Sequence, residues 1–232
     1  MARKQRGRAI TGRFLSRENR FLVTVEVEGG RVSAHLPNSG RLGELLTPGR
    51  RVLLVERPGP RRKTGYDLSL VEFEGHWISV DARLPNDLVE DALRAGRIKP
   101  LRGYVSLHRE VRRGRSRFDF LLEGPEQPPC WVEVKSVTLL VDGLACFPDA
   151  VTVRGRRHVE ELAALAEGGE RAVVLFVVQR DDAQGFRPHD EADPAFGRAL
   201  RAAARQGVEV YAYACHIEPG RAAISHPLPV YL

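Results

Sequence analysis

Ser116-Arg-Phe-Asp119-Phe-Leu-Leu122, with Glu133-Val134-Lys135 fourteen residues beyond Asp119, is the part of this 232-residue chain whose reading decides its fold. Both stretches are short, apolar and β-prone, which predicts strands over 117–122 and 130–137. Along a strand, residues i and i+2 point to one face, so Glu133 and Lys135 stand side by side while Val132 and Val134 face the opposite layer. If the two strands are neighbours, Asp119 meets Glu133 across them. Two hard carboxylates on one face hold Mg²⁺ through oxygen and leave room for water and a phosphate. Such a cation acidifies its bound water and offsets charge building on the phosphate, and Lys135 would position or polarise the attacking water. An ordinary ion pair on an exposed strand face carries the same pattern, so the surroundings have to discriminate.

Outward from these strands the pattern is mixed α/β. Asn86 caps an expected helix over 86–95 with Gly96 as its stop, and a strand is expected over 104–111. Downstream come a helix over 156–166 ending at Gly168-Gly169 and a fully buried strand over 172–178. Asp193-Pro194 starts a helix running to Arg205, and a last strand covers 208–214. The order is αβββαβ followed by αβ. Glu90 on the first helix is the choice for a third metal carboxylate over Asp91, and Glu110 is a further candidate; a solvated helix face explains the first two equally well. Arg154, Arg157 and His158 cluster at the start of the second helix, where basic side chains and free N–H groups favour a phosphate. His158 reads as a helix-surface residue or one behind the metal ligands more than as a ligand, because no second His or Cys has ligand spacing.

Before residue 80 the pattern is all-β. Runs over 9–15, 21–27, 32–36, 52–55, 66–72 and 77–80 are separated by turn signals. Phe21, Val23, Val25 and Val27 form one face, and Gly29-Gly30 supplies a hairpin turn. A helical turn fits 41–46, and 58–63 is a basic loop. Five strands with a helical turn after the third fit an OB-type barrel, a fold that commonly binds nucleic-acid strands. The expected domains are therefore 1–80 and 81–232.

Charge supports the same division. The chain carries 36 Lys+Arg against 30 Asp+Glu, a net +6, and only four of the basic residues are Lys. Residues 1–80 hold a net +7 and residues 81–232 a net −1. Arg97 to Arg117 adds a basic segment around an expected hairpin. Arg17, Arg20, Arg41, Arg112, Arg113 and Arg115 are accordingly candidates for sequence-independent phosphate contacts on DNA, with Arg154 and His158 beside them. Solvated surface charge is the plain alternative.

The longest apolar run, 172–178, is far below the roughly 18–20 residues that span a bilayer, so no membrane partner is expected. No secretory leader is visible, and Cys130, Cys146 and Cys215 offer neither a Cys-x-x-Cys pair nor a disulfide framework; a cytoplasmic protein is expected. Acyl-transfer elbows, phosphate-binding P-loops, dinucleotide fingerprints and His-Glu-x-x-His pairs are absent.

Several collinear stretches resemble the sugar fermentation stimulation protein (SfsA) family. They are Arg17-Glu-Asn-Arg-Phe21, Asn38-Ser-Gly-Arg-Leu42 and Lys63-Thr-Gly-Tyr-Asp-Leu68, then Glu133-Val-Lys-Ser-Val-Thr-Leu139, Phe147-Pro-Asp-Ala-Val-Thr-Val-Arg-Gly155 with His158 following, and Leu175-Phe-Val-Val-Gln179. Departures are Arg156-Arg157, where Lys often precedes the His, and Ser136, where Asn is common. The resemblance implies an OB-like domain followed by a restriction-endonuclease-like domain of the PD-(D/E)xK type. Asp119, Glu133 and Lys135 match that family's carboxylates and lysine, while Asp149, Arg154 and His158 match a stretch of open role. It also implies DNA binding, either with a Mg²⁺-dependent nuclease site or as a non-catalytic regulator of sugar-metabolism genes.

Overall fold

The computed structural model describes residues 3–4, 7–60 and 62–232, so position 61 of the basic loop lies outside the described residues. Strand β1 (Arg3–Lys4) precedes the barrel, whose strands are β2 (Ala9–Asn19), β3 (Leu22–Val27), β4 (Gly30–His35), β5 (Arg51–Glu56) and β6 (Tyr66–Phe73), with β7 (His76–Ser79) added at the edge. The sheet runs β4-β3-β2-β5-β6-β7, and a parallel β4–β6 pairing closes the first five strands into the OB barrel. Closure removes the open edges that an isolated small sheet would leave. Phe14, Val23, Val25, Leu54 and Leu68 fill it, each at most 2% exposed. The expected helical turn is present: the N–H groups of Leu45 and Leu46 both donate to the Leu42 carbonyl, which buries Leu42 and Leu45 in the barrel core.

Phe21 departs from its expected face. Strand β3 starts one residue later, at Leu22, and Phe21 lies on the turn, 45% exposed. The Asn19 side chain causes this by accepting the Phe21 N–H at 2.9 Å, an Asx turn that ends the alternation.

The second half begins with α1 (Leu84–Arg94) and a 3₁₀ turn at Lys99–Leu101, then β8 (Ser106–Arg113), β9 (Ser116–Gly124), β10 (Gln127–Val137), β11 (Leu140–Val141) and β12 (Leu144–Phe147). It continues with α2 (Val153–Glu167), β13 (Arg171–Val178), β14 (Gly185–Pro188), α3 (Pro194–Arg205), β15 (Glu209–Glu218) and β16 (Arg221–Leu228). The main sheet is mixed, in the order β1-β16-β15-β13-β10-β9-β8, with β10, β13 and β15 parallel. Helix α1 covers one face through Leu88, Val89 and Ala92, and α2 and α3 cover the other through Val159, Leu162, Phe196 and Leu200. Strand β13 lies between the layers with Ala172 to Val178 all at 0% exposure, as a continuous apolar run requires. This is the restriction-endonuclease-like architecture. Among the described residues no helix is long and apolar enough to cross a membrane.

Two helix starts move. Helix α1 begins at Leu84, with Pro85 in its first turn and Arg83 at the cap, so Asn86 is not the cap residue. Proline pre-sets the helical φ and needs no N–H, which makes it the stronger start signal. Helix α2 begins at Val153, three residues early, because Thr152 caps it by accepting the Gly155 N–H at 3.1 Å. Asp193 caps α3 as expected. The three-stranded sheet β11-β12-β14 and the final strand β16 are additions to the expected order.

Candidate functional site

Strands β9 and β10 are antiparallel neighbours with Trp131 opposite Leu121 and Val132 opposite Phe120. Their pairing stops there. One step further the Asp119 side chain replaces a backbone acceptor, its Oδ2 taking the Val134 N–H at 2.8 Å. The strands therefore part at the position where Asp119 and Glu133 come together. From α1 the Asn86 amide donates to Asp119 Oδ1 at 2.6 Å. Both oxygens of Asp119 are thus fixed in direction. Even so, burial and the neighbouring charge of Glu133 push its carboxyl up to about 6.

Glu133 is 4% exposed. Burial raises its carboxyl, but the Lys135 charge and the His158 hydrogen bond outweigh burial and hold it below the ordinary range. Its Oε1 receives Lys135 Nζ at 2.5 Å and His158 Nδ1. Its Oε2 is buried with no hydrogen-bond partner. An unfilled anionic oxygen in the interior costs about 1–3 kcal/mol or more, since it has given up water without replacement. Beside a second carboxylate, that orphan fits a divalent cation bound through oxygen. Val132 and Val134 face the α1 layer, so the expected alternation holds.

The structure gives the other candidates different surroundings. His158 is 2% exposed and lies against Phe118 at 6.0 Å between ring centroids, so it is no surface contact for DNA. Arg154 Nε donates to His158 Nε2 at 3.4 Å, which assigns the ring proton to Nδ1, the atom that faces Glu133. Glu90 is taken up by Arg94 at 2.9 Å and Arg109 at 2.6 Å, and the α1 residue that reaches Asp119 is Asn86, one turn earlier. Glu110 pairs with Arg117 on the β8–β9 hairpin. Among the described residues no group of three or more His, Cys, Asp or Glu is arranged to hold a metal, so the candidate centre has two carboxylates.

Arg17 points into the barrel's own loops, donating at 2.8 Å to the carbonyls of Arg20, Gly40 and Arg41. Its role is to staple the turn at 19–21 to the loop at 38–41. Arg113 pairs with Glu170 at 2.5 Å and covers the Trp131 ring at 5.6 Å. Arg20, Arg41, Arg112, Arg115 and Arg154 keep exposed side chains. Of the two partners, half-buried Asn86 and buried His158, only the second carried a readable signal. Gly155, His158, Val159 and Leu162 are all buried on α2, and His158 lies four residues before Leu162, in the apolar stripe.

Comparison with known proteins agrees with this architecture. Residues 15–80 match the model of the SfsA N-terminal OB domain, and residues 83–221 match that of the sugar fermentation stimulation protein RE domain. A sugar fermentation stimulation protein homolog of Moorella thermoacetica is 50% identical over 225 residues, covering 96% of this chain and 97% of the relative. One of Symbiobacterium thermophilum is 47% identical, covering 94% and 93%. The structure of Pyrococcus furiosus SfsA in complex with Ca²⁺ superposes with a TM-score of 0.92 at 32% identity, over 100% of both chains. The chain belongs to the sugar fermentation stimulation protein family.

Proposed function

We propose that this protein binds DNA through sequence-independent backbone contacts and hydrolyses phosphodiester bonds at a divalent-metal site made by Asp119 and Glu133. The observation that carries the reading is Glu133 Oε2, a buried, unpartnered carboxylate oxygen next to a second carboxyl whose proton affinity burial and the Glu133 charge raise. Mg²⁺ suits a site of two hard oxygen donors, and a Ca²⁺ complex of the Pyrococcus furiosus relative is in keeping with a protein that takes a hard cation. When bound, the cation supplies an acidified water and offsets negative charge building on the phosphate.

The protein's own groups do the rest. Val134 N–H and Asn86 aim the Asp119 oxygens, and His158, held by Arg154, fixes the orientation of Glu133. Lys135 Nζ, with its side chain 11% exposed, is the group that holds the attacking water and steadies the phosphate. Arg20, Arg41, Arg112 and Arg115 are exposed and able to hold the strand by its phosphates.

The test is single- and double-stranded DNA incubated with pure protein, in Mg²⁺ or Mn²⁺ against EDTA, beside Lys135→Ala. Metal-dependent cleavage that drops at least about 100-fold in the variant is expected, the loss typical of removing one such charge from a reaction centre. Equal degradation by both proteins would assign the activity to a contaminant. DNA binding without cleavage in either metal would leave the non-catalytic DNA-binding reading in its place.

A further inference from the structure

Beyond Lys135 the chain enters a cleft of about 390 Å³ between the barrel and the mixed sheet. Ser136 and Thr138 at the end of β10 and the segment from Phe147 to Thr152 form one wall, while Arg20 and residues 38–40 form the other. The walls are fixed to each other. The Arg41 N–H donates across them to Asp149 Oδ2 at 2.7 Å, while the barrel-side wall is braced by the Gly40 N–H donating to Asn38 Oδ1 at 2.8 Å and the Asn38 amide donating to the Val80 carbonyl at 3.2 Å. Gly40 allows this approach, since a Cβ there would lie 2.6 Å from Asp149 Oδ2. The cleft is therefore a formed site.

Its chemistry differs from that of a phosphate trap. Among the described residues Arg20 is the one basic side chain lining it, balanced by Asp149, and the remaining lining is hydroxyl, amide and apolar. Such a surface suits a base and sugar, with Arg20 placed for the phosphate that joins them to the next nucleotide. One lining residue is an apolar side chain in the open: Val151 is 72% exposed. A volume near the lower end of the ~300–1,000 Å³ range of small-molecule sites holds about one nucleotide and no duplex.

We propose that this cleft receives one unpaired nucleotide next to the scissile phosphate, so that the protein selects DNA that is single-stranded, frayed or mismatched at the cleavage point. The proposal rests on the DNA-binding nuclease reading, because it is the position beside Lys135 that gives the cleft its occupant. A base in intact duplex must first leave its stack, at a cost of a few kcal/mol that is least where pairing is already lost, and this produces the selectivity. Val151 would pack against the neighbouring base at the rim.

The test uses the full chain in EDTA, so cleavage plays no part. Fluorescein-labelled duplexes of one length, one fully paired and one with a central two-base mismatch, are titrated by anisotropy, with free dAMP as a competitor. Wild type is expected to bind the mismatched duplex at least about tenfold more tightly. Ser39→Trp, which fills the cleft from an exposed position, and Ala150→Trp, which fills it from the other wall, are each expected to bring that ratio to near one. Circular dichroism establishes folding of both variants. Equal wild-type affinity for the two duplexes, or an unchanged ratio in both folded variants, overturns the cleft while leaving DNA binding intact. No binding to either duplex overturns the DNA-binding reading and the cleft with it. Binding of dAMP without any preference for the mismatch assigns the cleft to a free mononucleotide and overturns the strand-bound occupant.

Discussion

Replacing Asp119 by Asn changes the protein's stability with a sign that depends on pH and metal. Below its ordinary value of 3.8 the carboxyl is protonated in the folded and unfolded chain alike. As pH rises, the unfolded chain releases this proton first, while the folded chain holds it until about 6. Folded stability contributed by the proton is therefore present below 3.8 and lost as pH rises through 6. At about 1.4 kcal/mol per pH unit the full loss is about 3 kcal/mol, of which about 2 kcal/mol falls between pH 4.5 and 7.5. The amide of the Asp119→Asn variant cannot ionise, so that protein lacks this loss. It leaves one of the Val134 and Asn86 donors facing the amide NH₂ with no acceptor, a cost of about 1–3 kcal/mol. In EDTA, urea unfolding should show wild type minus variant falling by about 2 kcal/mol across that range. Added Mg²⁺ should reverse the order, because a ligand bound only to the folded state adds about 2.7 kcal/mol at 100 times its Kd. The variant, short of one ligand, should gain far less. Parallel pH profiles for the two proteins in EDTA, or equal stabilisation of both by Mg²⁺, would refute the reasoning.

Four further variants test named contacts. Arg17→Ala should destabilise the barrel by about 2–4 kcal/mol in urea, since it frees several loop carbonyls from a charged donor; Arg20→Ala should stay within about 0.5 kcal/mol of wild type but lower the salt slope of DNA binding by about 1. The reverse pattern would exchange their assigned roles. His158→Ala should lower metal affinity about 10–100-fold, read by calorimetry, as loss of a partner behind a ligand does, while the salt slope of DNA binding in EDTA keeps its wild-type value. A drop in that slope would return His158 to the phosphate-contact role. Phe176→Ala should cost about 3–5 kcal/mol in urea, because its ring lies 4.0 Å from Phe186 and 5.5 Å from Phe147 between centroids; a loss under 1 kcal/mol would mean the cavity collapses.

The legible parts of the chain are those where one local rule acts alone. Strand β13 is a bare apolar run, and the Asp193 cap stands directly before Pro194, so each was readable from neighbouring residues. The Glu133–Lys135 adjacency was readable for the same reason, as an i, i+2 consequence of extended backbone. The sequence is hard to read where two rules compete over the same residues. Asn86 is a good capping residue, yet Pro85 starts the helix earlier and leaves the Asn86 amide to reach a strand 33 positions away. Phe21 fits the period-two face until the Asn19 side chain captures its N–H and turns the chain. Arg17 carries the composition of a phosphate contact, but three carbonyls converge on it only after the barrel closes.

The same distinction explains why the carboxylate pair is more readable than its environment. Asp119 and Glu133 must come from paired strands, and strand pairing is nearly local because a short turn at residues 125–126 joins β9 to β10. What raises one carboxyl and lowers the other is long-range: the buried β-sheet supplies desolvation to both, whereas His158 and Lys135 face Glu133 and favour its charge. A lysine alone would have left Glu133 one ion pair among many. The buried histidine, fixed from behind by Arg154, holds Oε1 on the protein side and leaves Oε2 as the unpartnered oxygen. The asymmetry between the two oxygens of Glu133, more than the Glu-x-Lys pattern itself, is what the proposed metal site rests on against the alternative of a structural ion pair.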